Sequence, residues 1–378
     1  MRILFVGEYS RLHTTLKEGL AKLGHEAVIV GNGDGFKGFP MDHSIEAKFF
    51  RRGLPYYFRQ LVYRLTGYDL SRIEHGIRFY RLLPRLKGFD IVQAVSDTPI
   101  LAPLWMESRL LNKLACQNGR LFLLASGTDT PFMEAVLAGK YRYSLYDAYR
   151  ADPSRIGEYR HVVRHLKPRY KRHYSKMVEM AHGVIATDID YHIALDGREK
   201  YAGMVPNPVN IAKIQYAPAD VSGKIVIFHG VNRWNFHKKG NAYFEKALNI
   251  VRQKHGDRVE IVQTSTLPYR DYIKVLSGSH IVLDQVNAYD QGYNALEAMA
   301  MGKVVFTGAE KEFESYYGLT ETVAVNALPD AGYIANKLSE LIQNPNEIAR
   351  IGRAARQFVE SRHDYVASAK KYLEIWNR

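Results

Sequence analysis

Two hydrophobic rhythms take turns along this chain. Short apolar runs, as expected of strands buried on both faces of a sheet, alternate with longer stretches whose apolar residues recur at helical spacing. Arg2-Ile-Leu-Phe-Val-Gly7 is the first such run. Leu16, Leu20 and Leu23 predict a helix after it, which Gly24-His25-Glu26 ends, and Ala27-Val-Ile-Val30 is the next strand. Asp90-Ile-Val-Gln-Ala94, Leu121-Phe-Leu-Leu-Ala125 and Gly183-Val-Ile-Ala-Thr187 continue the series, with long helical segments between them. Strands and helices in this succession predict a parallel, doubly wound sheet.

Val205-Pro-Asn-Pro-Val-Asn210 interrupts the series. Its prolines cannot continue a helix, so it reads as a linker. A second αβ series follows, with strands predicted at Lys224-Ile-Val-Ile-Phe-His229, Val259-Glu-Ile-Val262, His280-Ile-Val-Leu-Asp284 and Val304-Val-Phe-Thr307. The last segment, about 345–377, is helical, with Ile348, Ile351, Ala354, Phe358 and Val359 on an apolar face. The expected fold class is α/β: two Rossmann-like doubly wound domains facing a central cleft, and a C-terminal helix returning to the first. The divisions fall at residues 1–207, 208–360 and 361–378.

Composition narrows the class. The 378 residues suffice for two domains with separate cores, and 46% hydrophobic content fits a folded chain. Cys116 is the only cysteine, which excludes an internal disulfide and a cysteine-based zinc site and suits a reducing compartment. The apolar run Ile3 to Val6 is too short for a signal peptide. No stretch approaches the roughly 18 apolar residues of a membrane span. A cytoplasmic protein is expected.

The net charge of +13 is unevenly placed. Residues 51–90 carry +6 and residues 139–176 carry +8, which leaves −1 for the rest of the chain. A basic first half implies an anionic partner there.

The richest chemistry lies in Asp290-Gln-Gly-Tyr-Asn-Ala-Leu-Glu-Ala-Met-Ala-Met-Gly-Lys-Val-Val-Phe-Thr-Gly308. It joins a glycine turn, a helix beginning near Tyr293 and a buried strand. Gly292, lacking a Cβ, lets the backbone bend tightly and approach a ligand. The N–H groups of Tyr293, Asn294 and Ala295 then point outward from a helix start, a ready site for phosphate oxygens. Glu297, one turn further in, is placed to reach the two hydroxyls of a ribose. The plainer reading is an αβ unit punctuated by Gly292 and Gly302.

Four segments in order resemble the retaining family 4 glycosyltransferases of the GT-B fold. They are the Gly7 loop, Pro206-Asn-Pro-Val-Asn210, Arg233 with Lys239-Gly240, and Gly292 through Gly302. The family pattern runs Glu-Gly-Phe-Gly, three residues, Leu-Glu-Ala-Met-Ala, one residue, Gly; Gly292, Leu296-Glu-Ala-Met-Ala300 and Gly302 match it. The resemblance implies a retaining, metal-independent, hexosyltransferase-like enzyme. Its donor, a UDP- or GDP-sugar, would be held by the C-terminal domain. The acceptor, a glycan or lipid-linked molecule of cell-surface polysaccharide, lipopolysaccharide or glycolipid assembly, would lie at the N-terminal domain. The donor is a substrate, and no cofactor is implied. Gly7 and the helix start at Gly292 would bind donor, and Leu267, in the loop Thr264–Tyr269, would lie beside the nucleobase. Arg233 and Lys239 would neutralise the diphosphate leaving group, with Lys238 as a neighbouring candidate. The family's first glutamate, which contacts the donor sugar, falls on Tyr289, and Asp290 stands beside it to supply an acceptor oxygen.

Ser126-Gly127-Thr128-Asp129 follows a strand end, so Asp129 is either a group that orients or deprotonates an acceptor hydroxyl or the cap of the next helix. His13 lies near the first strand–helix turn, as a structural residue or a cleft residue. The Gly7 loop has one glycine rather than Gly-x-Gly-x-x-Gly, which weakens a nicotinamide or flavin reading. Asp188-Ile-Asp190 suggests a metal, but it opens a helix, where acidic residues cap and favour the dipole; no metal site is expected. A non-catalytic protein of this fold that binds a nucleotide or glycan is the alternative function.

Arg51-Arg-Gly-Leu-Pro-Tyr-Tyr-Phe-Arg-Gln-Leu-Val-Tyr-Arg64 interleaves cations with bulky apolar residues, as does Tyr159 to Lys176. Such segments suit an anionic bilayer surface, or else pack their apolar residues on the sheet. No signature of a nucleic-acid-binding fold accompanies them, and no nucleic-acid partner is expected.

Overall fold

The computed structural model describes residues 1–35, 38–265 and 269–378, and of residues 269 and 270 the backbone only. The first sheet holds β1 (Arg2–Val6), β2 (Glu26–Gly31), β3 (His43–Ser44), β4 (Ile91–Ala94), β5 (Arg120–Ala125), β6 (Gly183–Ala186) and β7 (Tyr201–Met204). Its order is β3-β2-β1-β4-β5-β6-β7, parallel throughout. The second sheet holds β8 (Ile225–Val231), β9 (Val259–Ser265), β10 (Ile281–Leu283), β11 (Val304–Thr307) and β12 (Val325–Asn326), in the parallel order β12-β11-β10-β8-β9. β3, β7 and β12 have no counterpart in the apolar pattern. Two are dipeptides, and Tyr201-Ala-Gly-Met204 carries no continuous apolar run.

Alternation explains the burial of β1. Leu4 and Val6 enter one cluster, Ile3 and Phe5 another, because successive side chains leave opposite faces of the sheet. Helices therefore cover both faces, as a continuous apolar run requires. One of these clusters runs on into the second unit, joining Met133 and Phe132 to Tyr289 and Met299.

The C-terminal segment is two helices, Pro345–Arg362 and Tyr365–Trp376. Asp364 ends the continuity: its carboxylate accepts from the N–H groups of Val366 and Ala367 and so starts a new helix. At this break the chain crosses between sheets beside the linker. The Val209 N–H donates to the His363 carbonyl at 2.7 Å, and His363 Nδ1 meets the Asn207 carbonyl at 2.9 Å. The last helix packs on Leu12–Lys22 so closely that any Cβ on Gly19 would collide with the Tyr365 carbonyl. Tyr372 and Trp376 are fully buried there with Phe5. Among the described residues, no helix is long and apolar enough to cross a membrane.

Candidate functional site

In an open parallel sheet, ligands gather outside the strand C-termini, where the strand order reverses. Here the reversals lie between β1 and β4 in the first sheet and between β8 and β10 in the second. A cleft of about 500 Å³ opens where the two meet. Its walls are residues at or just past strand ends: Tyr9 and Ser10 after β1, Ser126 and Thr128 after β5, Gly230 near the end of β8 and Asn232 after it, and Asp284 after β10. Ser10 and Arg11 both take left-handed backbone, with φ of 50° and 68°, a conformation L-residues adopt at a cost and retain mostly at functional turns.

The two switch points treat their helix N-termini in opposite ways. Helix Leu12–Lys22 starts behind the β1 loop, and the Glu8 carboxylate fills its N-terminus. It accepts from the N–H groups of Tyr9, His13 and Thr14 at 2.8, 3.1 and 2.9 Å, and from the Thr14 hydroxyl. Burial pushes Glu8 above the ordinary carboxylate range, and these donors oppose the rise. A carboxylate already takes these donors, which argues against a dinucleotide pyrophosphate on the first sheet. Helix Tyr293–Ala300 has no side-chain cap, and its first internal bond is Leu296 N–H to the Gly292 carbonyl. Gly292, Tyr293 and Asn294 line the cleft, and Ala295 follows them, buried.

Gly292 serves this arrangement differently from the sequence expectation. Its φ is −83°, open to any residue, so no special bend is made. A Cβ added there meets nothing within 4 Å. The glycine leaves room at the helix start. Gly7 is the position where backbone freedom is used: φ is +83°, and a Cβ would collide with Val95 and Pro99. Gly7 itself stays behind Tyr9 and Ser10, outside the cleft lining.

Lys239 enters the cleft from the loop after β8 and pairs with Asp284 at 2.7 Å. Lys238 enters too, with Nζ 3.2 Å from His161 Nε2. Burial lowers the Lys238 pKa, and burial next to Lys238 lowers His161 to about 4, so the imidazole is neutral and accepts. Glu158 clamps this loop from the opposite domain. It accepts from the His237 and Lys238 N–H groups, both at 3.2 Å, and holds His237 Nδ1 at 2.8 Å. Arg233, expected beside Lys239, is exposed on a short turn, Arg233–Asn235, outside the cleft lining. The Asn232 side chain starts that turn by accepting from the Trp234 N–H, which carries Arg233 outward.

Tyr289 is also displaced from its expected place. Its side chain is 1% exposed and faces the N-terminal domain rather than the cleft. The hydroxyl accepts from the Arg142 N–H at 2.6 Å, the Arg142 guanidinium lies over the ring, and Tyr141 and Tyr143 pack against it. Arg142 also pairs with Glu310 and Glu312, and the Tyr143 hydroxyl donates to Glu310, so this corner is an interdomain joint.

Asp290 does line the cleft, but its oxygens are engaged. Oδ1 accepts from the Gln291 N–H and Oδ2 from the Ile189 N–H. Asp190 reaches the other way and accepts from the N–H groups of Tyr289 and Asp290. Asp188 caps helix Ile189–Leu195 through the Tyr191 N–H, as the capping reading expects. No group of metal-ligating side chains occurs among the described residues. Burial raises Asp290 to about 6, and burial with the neighbouring carboxylates raises Asp188 and Asp190.

Asp129 resolves toward its plainer role. It caps helix Thr130–Leu137 by accepting from the Phe132 N–H at 2.9 Å and does not line the cleft, whereas Ser126, Gly127 and Thr128 do. Burial raises its pKa to about 7. His13 is fully buried, stacked on Phe5, with Nδ1 2.7 Å from the Gly7 carbonyl; burial holds its pKa near 4. Glu297 lies one turn into its helix, outside the cleft lining, its carboxylate 3.8 Å from the Arg11 guanidinium. Leu267 lies outside the described residues, with its neighbours 266 and 268. Sequence reasoning did not single out Asp284, Asn207, Asn232 or Tyr9, which line the cleft. A usable signal existed for Asp284: a polar residue that closes an apolar strand run stands at the cleft edge.

Residues 225–374 match the family model described as "Glycosyl transferase-like". Comparison with curated proteins finds no match. Among solved structures, a sucrose-phosphate synthase from Thermosynechococcus elongatus is similar at 15% identity, with 100% of this chain and 98% of that one covered and a TM-score of 0.61. Anabaena HepE, in complex with UDP and glucose, is similar at 14% identity, with 99% and 98% covered and a TM-score of 0.60. A variant of S. aureus TarM, in complex with fondaparinux, alpha-GlcNAc-glycerol and UDP, is similar at 11% identity, with 100% of both chains covered and a TM-score of 0.61. At these identities the likeness shows the fold: the GT-B arrangement of two Rossmann-like domains with a C-terminal helix.

Proposed function

We propose that this protein is a retaining, metal-independent glycosyltransferase that moves a sugar from a nucleoside diphosphate sugar to a glycan or lipid-linked acceptor. One observation carries the reading. The helix N-terminus at the second switch point opens into the cleft with Lys239 in the same wall, while its counterpart on the first sheet is filled by Glu8. Of these two helix starts, the one on the C-terminal side is the one left open to anionic oxygens. The family match over residues 225–374 and the UDP complexes of similar structures support the same assignment.

The diphosphate would rest on the N–H groups of Tyr293, Asn294 and Ala295, with Glu297 toward the ribose. Lys239, released in part from Asp284, would neutralise charge that grows on the leaving oxygen as the sugar C1–O bond breaks. The acceptor oxygen bonds C1 on the same face, and its proton passes to the departing phosphate oxygen. This route asks for phosphate donors rather than a pair of free carboxylates. Residues 1–207 would present the acceptor and 208–360 the donor, with 361–378 tying them together. The expected setting is polysaccharide or glycolipid assembly at the cytoplasmic face of a membrane.

A second reading, a nucleotide-binding protein without transfer activity, draws on Tyr289, whose side chain is turned away and leaves no carboxylate at that position. A panel of UDP-, GDP- and TDP-sugars separates the two. Turnover of any donor supports transfer; tight nucleotide binding with no turnover favours the second reading. Glu297→Gln should weaken UDP or GDP binding about ten-fold while leaving inorganic pyrophosphate unaffected, the loss of one charge-assisted bond to a ribose. Equal affinity for wild type and variant counts against the ribose assignment.

A further inference from the structure

Helix Gly53–Thr66 carries its apolar stripe on the wrong side for a core. Leu54, Tyr57, Phe58, Leu61 and Leu65 recur at three- and four-residue spacing and so share one face. Such a stripe ordinarily packs inward. Here no residue of the helix is buried, and the stripe stands in solvent: Leu54 is 85% exposed, Leu65 76% and Tyr57 69%, with Phe58 and Leu61 above half. The opposite side holds the helix to the protein. Arg59 grips Asp69 through two bonds of 2.6 Å, and the Arg160 guanidinium lies beside Gly67, where the helix ends. The alternative reading of this segment, that its apolar residues pack on the sheet, is therefore not met in this helix.

Charge says what covers the stripe. The helix contains no acidic residue, Arg52 and Arg64 are exposed at its two ends, and Lys48 is exposed just before it, while the neighbouring Arg51 is paired with Glu46. A second copy of the chain would set these cations against themselves. An anionic lipid surface supplies the complementary charge and an apolar layer for the stripe, and interfacial tyrosines suit that boundary.

We propose that helix Gly53–Thr66 lies in the headgroup region of an anionic phospholipid bilayer, its leucine–aromatic stripe inserted and its arginines on phosphate. The placement orients the cleft. Arg160, beside the end of this helix, belongs to helix Ile156–Val163, which also carries the Glu158 clamp and the cleft residue His161. The docking surface thus adjoins the N-terminal wall of the cleft. The inference stands on the helix itself and does not require the transfer activity.

The test uses the full chain with vesicles of phosphatidylcholine alone and of an equal phosphatidylcholine–phosphatidylglycerol mixture, read by co-sedimentation at low and high salt. Binding to the mixed vesicles, weakened by salt and absent with phosphatidylcholine alone, is expected. Leu61→Ser with Leu65→Ser should lose at least about ten-fold, because two buried leucines are removed from the inserted face. Arg52→Ser with Arg64→Ser should lose about ten-fold. All four positions are exposed, so unchanged circular dichroism and melting are expected. Hydrogen exchange on the wild type provides a reading without variants: amides of 54–65 should slow when mixed vesicles are added. Equal binding to both vesicle types, or no slowing, overturns the proposal. So does a concentration-dependent dimer that the leucine variant dissolves, which would assign the stripe to a second copy.

Discussion

Asp190 and Asp290 exchange hydrogen bonds across the domain boundary, each carboxylate accepting at the backbone of the other's segment. Asp190 takes the Asp290 N–H at 3.2 Å and the Tyr289 N–H at 3.0 Å, and Asp290 takes the Ile189 N–H at 3.0 Å. The exchange holds the start of one helix against the turn that leads into another. It also buries carboxyl groups in mutual contact with Asp188, which opposes their ionisation.

Stability should depend on pH through this junction. A carboxyl held above its ordinary value favours the protonated fold, so its contribution is full below 3.8, the unfolded value, and is lost as pH rises through about 6 for Asp290. Asp190→Asn removes one repelling charge and keeps an acceptor. Melting of the wild type should therefore fall relative to Asp190→Asn between about pH 4 and pH 7, by on the order of 1–3 kcal/mol. The difference between the two proteins cancels the opposing titration of buried histidines such as His13 and His363. Parallel melting curves across that range would remove the junction from the pH response.

Tyr289→Phe distinguishes a joint from a sugar contact. Losing the hydroxyl leaves the partly buried Arg142 N–H without this acceptor, so denaturant unfolding should show a loss of about 0.5–1.5 kcal/mol. The ranking of donor sugars should not change. A reordered donor panel with unaltered stability would place the side chain back at the sugar.

Gly292→Ala adds a methyl group that the protein itself accommodates, at a φ any residue adopts. Stability should hold or rise by up to about 1 kcal/mol, since the unfolded chain loses freedom. Nucleotide affinity, measured by calorimetry, should fall at least about ten-fold, because the methyl group occupies the space of the phosphate. Unchanged affinity would move the phosphate elsewhere.

Lys239→Gln and Arg233→Gln should separate in kinetics. Removing the Lys239 charge from the cleft should cost about 2–4 kcal/mol of transition-state stabilisation, seen in kcat more than KM. Arg233, exposed outside the cleft lining, should cost less than about 1 kcal/mol. An equal fall for both would mean that the turn Arg233–Asn235 closes over bound donor.

Much of the scaffold was legible because it depends on local repetition. The apolar runs of β1, β4, β5, β6, β8, β10 and β11 are each flanked by turn residues, and burial on both faces leaves few alternatives to a parallel sheet. The open helix start at Gly292 was legible for the same reason: the glycine, the following helix pattern and the strand after it lie in one continuous segment. Side-chain direction at the cleft was not legible. Tyr289 and Asp290 are neighbours in sequence, yet one turns to Arg142 and the other to Ile189. Asp129 and Thr128 divide likewise between a helix cap and the cleft wall.

The sequence by itself thus determined two parallel sheets, the linker between them and a helix start behind Gly292, all consequences of periodicity and backbone preference within short windows. Tertiary structure alone decided which neighbours face the cleft, that Glu8 closes the first helix start, and that the stripe of Gly53–Thr66 faces outward. Those outcomes depend on hydrogen-bond partners and packing surfaces far away in sequence, which no local pattern specifies.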